Sequence, residues 1–119
     1  MNEKTARIKR LKEEKNAVIM AHYYVADEVQ EIADYIGDSY YLSETATKIN
    51  ADTIVLCGVS FMGESAKILN PTKTVLLPDD SADCPMAHLA DAERITEVRK
   101  QYDDVAVVCY VNSTAELKT

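Results

Sequence analysis

Four short apolar runs organise the 119-residue sequence: AVIMA at 17–21, TIVLC at 53–57, TVLL at 74–77 and VAVVC at 105–109. None alternates apolar with polar residues, so each suits a strand covered on both faces, and the stretches between them carry helical spacing. Strands that alternate with helices build parallel βα units, and helices on both sides of such a sheet give three layers. The expected class is therefore α/β, a three-layer αβα fold with a parallel sheet.

The pattern along the chain supplies the elements. A charged helix over 4–15, with a thin stripe at Ile8 and Leu11, leads into a strand over 17–23. Asp27 and Gln30 have the form of a capping box, and Val29, Ile32, Ala33 and Ile36 keep helical spacing until Gly37, which predicts one helix there. Another helix starts near Ser39 with Leu42, Ala46 and Ile49 inward. DTIVLCG is a second strand, ESAKILN a helix stopped before Pro71, and KTVLLPD a third strand. After the loop DDSAD come a short helix from Pro85, a longer one over 91–101, and a fourth strand, DVAVVCYVN, over 104–112.

The sequence also echoes itself. Offset by 88 positions, AVIMAHYYVADEVQ at 17–30 overlies VAVVCYVNSTAELK at 105–118, with His22 over Tyr110 and Tyr24 over Asn112. Two units of this kind predict a first αβα domain over 1–84 and the beginning of a second over 85–119, cut short at its carboxyl end.

Charge narrows the partners. A net charge of −7 gives no electrostatic footprint for nucleic acid or for an anionic membrane surface. No apolar stretch approaches the roughly 20 residues of a membrane span, and MNEKTARIKRLKEEK lacks the hydrophobic segment of a secretory signal, so a cytoplasmic location is expected. Cys57, Cys84 and Cys109 form no CxxC pair. A reducing compartment disfavours disulfides among them, leaving core thiols or a metal site.

Ligands of parallel α/β sheets bind outside the carboxyl ends of the strands. His22 to Tyr24, Cys57 and Gly58, Asp79 to Cys84, and Tyr110 to Asn112 all follow strands and can share one rim. Imidazole, phenol and carboxamide groups hydrogen-bond carboxylate, carbonyl or phosphate oxygens, so the rim suits an oxygen-rich anionic small molecule. Packing of the tyrosines under a helix is the competing reading, and Tyr35, Tyr40 and Tyr41 are assigned to it. Ser39 is read as a helix cap facing the rim. Pro85 suits a first helical position and makes Cys84 the N-cap in a polar loop, whereas Cys57 and Cys109 sit in apolar strands. His88, one turn beyond Cys84, has no partner pair for a zinc site. The glycines of GVSFMGESA match neither the P-loop nor the dinucleotide fingerprint.

Together, AHYYVADEVQEIADYIGDS, IVLCGVSFMGESAKILNPTKTVLLPD, ADCPMAHLA and CYVNSTAELK resemble, in order and spacing, the amino-terminal part of the quinolinate synthase family. The resemblance implies an enzyme of de novo NAD synthesis, a transferase that condenses iminosuccinate (iminoaspartate) with dihydroxyacetone phosphate. It implies three similar αβα domains in pseudo-threefold array, the first and the start of the second being present. It further implies a [4Fe-4S] cluster held by one cysteine from each domain, Cys84 being the first and the others lying beyond residue 119. His22 and Ser39 match dicarboxylate-binding residues, and Tyr24 matches a catalytic tyrosine facing the triose phosphate. Tyr110, Val111 and Asn112 match a stretch that touches substrate, with Tyr110 helping proton movement.

On that reading Tyr23 points away from His22 and Tyr24 and packs. An L-aspartate oxidase or dehydrogenase would supply the iminosuccinate. Asp83 departs from the resemblance, standing where glycine is more usual before the cluster cysteine. With most of two domains absent, the 119-residue chain by itself is expected to be inactive. The rivals are a naturally short α/β module that binds a dicarboxylate or a partner protein without catalysis, and a subunit whose Cys84 joins a cluster shared between chains.

Overall fold

The computed structural model describes residues 2–118. Its centre is a four-stranded, wholly parallel sheet in the order β2-β1-β3-β4, formed by β1 (Ala17–His22), β2 (Tyr35–Gly37), β3 (Thr53–Cys57) and β4 (Thr74–Leu76). The register runs Val18 beside Ile54 and Ile54 beside Val75, so the apolar runs lie side by side. Strand alternation divides them between two faces. Met20, Ile54 and Leu56 point to one face, where α3 (Ser39–Ala46) and α4 (Ser60–Leu69) cover them with Leu42, Ala46, Phe61, Met62 and Ala66. Ile19, Val55 and Cys57 point to the other, beneath Ile8 and Leu11 of α1 (Glu3–Glu14). The three layers are those the apolar runs predict.

Local chemistry fixes the joints. Asn2 caps α1 through its side chain, accepting the Thr5 N–H at 2.8 Å. Asn16 ends that helix with φ 48°, a left-handed conformation that asparagine tolerates better than most residues. Its carboxamide donates to Asp52 at 3.1 Å and its carbonyl accepts from Asp52 and Thr53 N–H, which ties the start of β1 to the start of β3. At Gly37 an added Cβ would lie 2.2 Å from the Tyr41 ring, so only glycine lets that ring close over the end of β2.

Two expectations change here. The helix predicted through Ile36 shrinks to α2 (Asp27–Gln30), and Tyr35–Gly37 becomes strand β2 on the sheet edge. The periodicity of Val29, Ile32 and Ile36 is real, but pairing with β1 wins. Asp34 N–H donates to Ile19 O at 2.8 Å while the Asp34 carboxylate accepts the Ile19 N–H at 2.8 Å, which starts the ladder just before β2. Asp27 and Gln30 form no capping box, since Ala26 occupies the N-cap. Instead Gln30 Nε2 donates back to Val25 O at 2.9 Å and Tyr23 O at 3.1 Å.

The strand predicted over 104–112 is also absent, because a strand needs a neighbour and none of the described residues pairs with it. Val108 is 92% exposed. The helical half of the echo does form, as α6 (Ala115–Lys118), after a 3₁₀ turn at Pro85–His88 and α5 (Ala92–Gln101).

Candidate functional site

The strand order places a topological switch at β1 and β3, since the chain leaves β1 for an outer neighbour on one side and returns to β3 on the other. A crevice is expected beyond the carboxyl ends of two such strands. A cleft of about 450 Å³ lies there, and its walls include His22, Tyr24, Ser39, Cys57, Gly58, Asp79, Cys84 and Asn112. Five of the predicted site residues, His22, Tyr24, Ser39, Cys84 and Asn112, thus meet in one place. Tyr110 and Val111 do not line it; Tyr110 is 65% exposed.

His22 is the last residue of β1, and the chain turns immediately, Val25 N–H donating to His22 O at 3.0 Å. The Tyr24 N–H donates to Nδ1 of His22 at 3.2 Å, so the proton of the neutral ring sits on Nε2. Partial burial lowers the imidazole pKa below its usual 6.5, against the opposing charge of Asp38. The neutral ring therefore carries its one N–H donor on Nε2. Strand alternation stops at this turn, which corrects the expectation that Tyr23 points away and packs. The His22 ring stacks on Tyr23 at 4.6 Å and on Tyr24 at 4.7 Å, and Tyr23 Oη donates to Tyr24 Oη at 3.1 Å. Both tyrosines are open to solvent.

Ser39 is not the cap expected of it. Asp38 caps α3, accepting the Tyr41 N–H at 2.8 Å, and Ser39 is the first helical residue, buried against the cleft. Cys84 occupies the predicted N-cap of the 3₁₀ turn and is half-buried, with no capping bond from its side chain. Its loop is held by Asp83, whose carboxylate accepts from Cys84 N–H at 2.8 Å and from Ser60 Oγ at 3.3 Å, and meets His88 Nε2 at 2.7 Å. Burial pushes the Cys57 thiol above its ordinary pKa, as befits a core thiol. Asn112 is brought in from the far end of the chain. Its Oδ1 is buried and has no hydrogen-bond partner among the described residues.

The floor of the cleft was not legible as such in the sequence. Val25, Val29, Phe61, Met62 and Pro78 form it, because α4 begins at Ser60, one turn before the ESAKILN helix predicted from Glu64. The inward spacing of Phe61, Met62, Ser65 and Ala66 is the signal that marks the earlier start.

Comparison with known proteins identifies the family. The sequence model of a family described as Quinolinate synthetase A protein matches residues 6–119. The chain belongs to the quinolinate synthase family. It is 62% identical over 112 residues to the quinolinate synthase of Fusobacterium nucleatum, 55% over 114 residues to that of Clostridioides difficile, and 59% over 111 residues to that of Pyrococcus abyssi. These matches cover 94%, 96% and 93% of the chain but 38%, 38% and 37% of the relatives. The chain thus spans little more than a third of the curated relatives it matches. Among the described residues no helix is long and apolar enough to cross a membrane.

Proposed function

We propose that the protein carrying this segment is a quinolinate synthase of de novo NAD biosynthesis, working in the cytoplasm. It would condense iminosuccinate with dihydroxyacetone phosphate and release phosphate and water. The observation that carries the reading is the meeting of His22, Ser39, Cys84 and the unpartnered carboxamide oxygen of Asn112 in one cleft at the sheet switch point, in a chain of this family.

Neutral donors suit the first substrate. His22 Nε2–H and the Ser39 hydroxyl bind its carboxylates, each a strong acceptor of hydrogen bonds. Asn112 supplies an acceptor for an N–H or O–H of the bound molecule and an amide donor beside it. The Tyr24 hydroxyl faces the triose phosphate. Tyr110 relays a proton from the open side of the site, and its neighbour Val111 belongs to the same substrate-touching stretch, its carbonyl being taken up within the chain. No Lys or Arg lines the cleft among the described residues, so substrate charge is met here by dipoles.

The donor set bears on the cofactor. Cys84 fits one ligand of a [4Fe-4S] cluster, being half-buried on the cleft wall with no capping bond from its side chain. Among the described residues no group of three or more His, Cys, Asp or Glu side chains could hold a metal ion; on the family reading the further ligands would be cysteines of the other domains of a triplicated fold. Such a cluster, when bound, supplies Lewis acidity toward a substrate oxygen or nitrogen. The partner enzyme is an L-aspartate oxidase or dehydrogenase that delivers iminosuccinate.

The test is anaerobic assay of the complete protein with enzymatically generated iminosuccinate and dihydroxyacetone phosphate, scored by mass-spectrometric detection of quinolinate. Quinolinate formation that depends on both substrates and is abolished by Cys84→Ser is expected. A folded, iron-replete protein that forms none would overturn the reading.

A further inference from the structure

Asn112 reaches the cleft from a stretch with no strand to hold it, so its placement needs another cause. That cause is visible at the chain's other polar joint. The Nζ of Lys118 donates to Val111 O, to Ser113 O and to Ser65 Oγ on α4, each at 2.8 Å. The first two acceptors are the carbonyls on either side of Asn112, and the third belongs to a buried serine of the first sheet's helix layer. An ammonium has three N–H donors, and here all three are engaged.

The same joint is closed from the other direction. Glu64, the residue before Ser65, accepts the Ala115 N–H at 2.6 Å. Ser113 N–H donates to Val111 O and Ser113 Oγ to Tyr110 O, both at 2.8 Å, folding 110–113 tightly around the ammonium. Partial burial lowers the Lys118 pKa, opposed by the charges of Cys109 and Glu64.

We propose that Lys118 is a positioning residue: by clamping the carbonyls that flank Asn112 to Ser65 of α4, it holds the Asn112 carboxamide in the cleft. The proposal rests on the reading of Asn112 as a substrate-binding group. Lys118 touches no substrate and acts through Asn112 alone.

The test is a double-mutant cycle in the complete protein, prepared anaerobically with its cluster, using succinate as a nonreacting four-carbon dicarboxylate and calorimetry as the readout. Lys118→Met and Asn112→Ala are each expected to weaken succinate by about tenfold, the scale of a lost bond to a charged or desolvated group. The double variant should bind no more weakly than Asn112→Ala. Additive losses, or wild-type affinity in Lys118→Met beside a weakened Asn112→Ala, would overturn the role of Lys118 while leaving the site reading intact. An Asn112→Ala variant with wild-type affinity would overturn both. Should Lys118→Met fail to fold by near-ultraviolet circular dichroism, Ser65→Ala removes only the bond to α4. It is expected to cost about threefold in the wild-type background and nothing in Asn112→Ala, and unchanged affinity in the former would overturn the proposal.

Discussion

Asp34 stands in for a strand residue opposite Ile19: its carboxylate accepts the Ile19 N–H at 2.8 Å and its own N–H donates to Ile19 O at 2.8 Å. The free carboxylate oxygen meets Lys12 of α1 at 2.7 Å, so one side chain joins the sheet edge to the helix beneath it. Replacing Asp34 with alanine leaves the Ile19 N–H short of a partner. A loss of about 2 kcal/mol in urea unfolding is expected, whereas Glu44→Ala, which removes an exposed pair with Lys48, should cost about 0.5 kcal/mol or less.

The His22 imidazole titrates below 6.5 because burial disfavours its charged form, and protonation at Nδ1 would also expel the Tyr24 N–H. A base with a depressed folded pKa contributes its full stability above the unfolded value and loses it as pH falls through the folded one. Proton NMR of the His22 ring is expected to give a midpoint under 6.5. His22→Gln should flatten the decline of the unfolding midpoint as pH falls below the ordinary imidazole value. An unshifted ring would show that burial does not disfavour its charged form.

Loop 79–84 is tied to α4 by Asp83 and by the Ser60 N–H bond to Ala82 O at 2.9 Å. In the complete protein without its cluster, Asp83→Ala should release the loop and speed alkylation of Cys84 by about threefold or more. Peptide-resolved mass spectrometry separates this from Cys109, which is exposed and should label at an unchanged rate.

Leu42 is fully buried between α3 and the sheet, and Leu69 at the end of α4 is 51% exposed. Leu42→Ala is expected to destabilise the fold by about 2 to 5 kcal/mol. Leu69→Ala should fall within about 1 kcal/mol, and equal losses at the two positions would show that the core lies elsewhere.

What was legible in the sequence was whatever depends on local pattern. The unbroken apolar runs of β1, β3 and β4 announce a sheet covered on both sides, and the position of His22 and Cys84 after such runs announces the rim. What was not legible depends on partners distant in sequence. Tyr35–Gly37 carries a helical spacing and becomes a strand only because β1 offers a ladder, while 104–112 carries a strand pattern and finds no ladder among the described residues. Tyr23 was misdirected for a smaller reason: the chain turns at His22, one residue before the predicted strand end. Nothing in the local sequence around Lys118 signals its three acceptors, two of them carbonyls within seven residues and one a serine 53 positions away.

The strand order has a consequence for how the chain is made. β1 is synthesised before its neighbours, yet it lies inside the sheet, between β2 and β3. Until Cys57 has left the ribosome tunnel, a delay on the order of seconds, β1 can be flanked on at most one side. The switch point that forms the cleft therefore closes only after the β2–β1 pair can form, and before β4 is made. The residues that frame it, His22 and Cys57, come together only when the growing chain has committed to its topology.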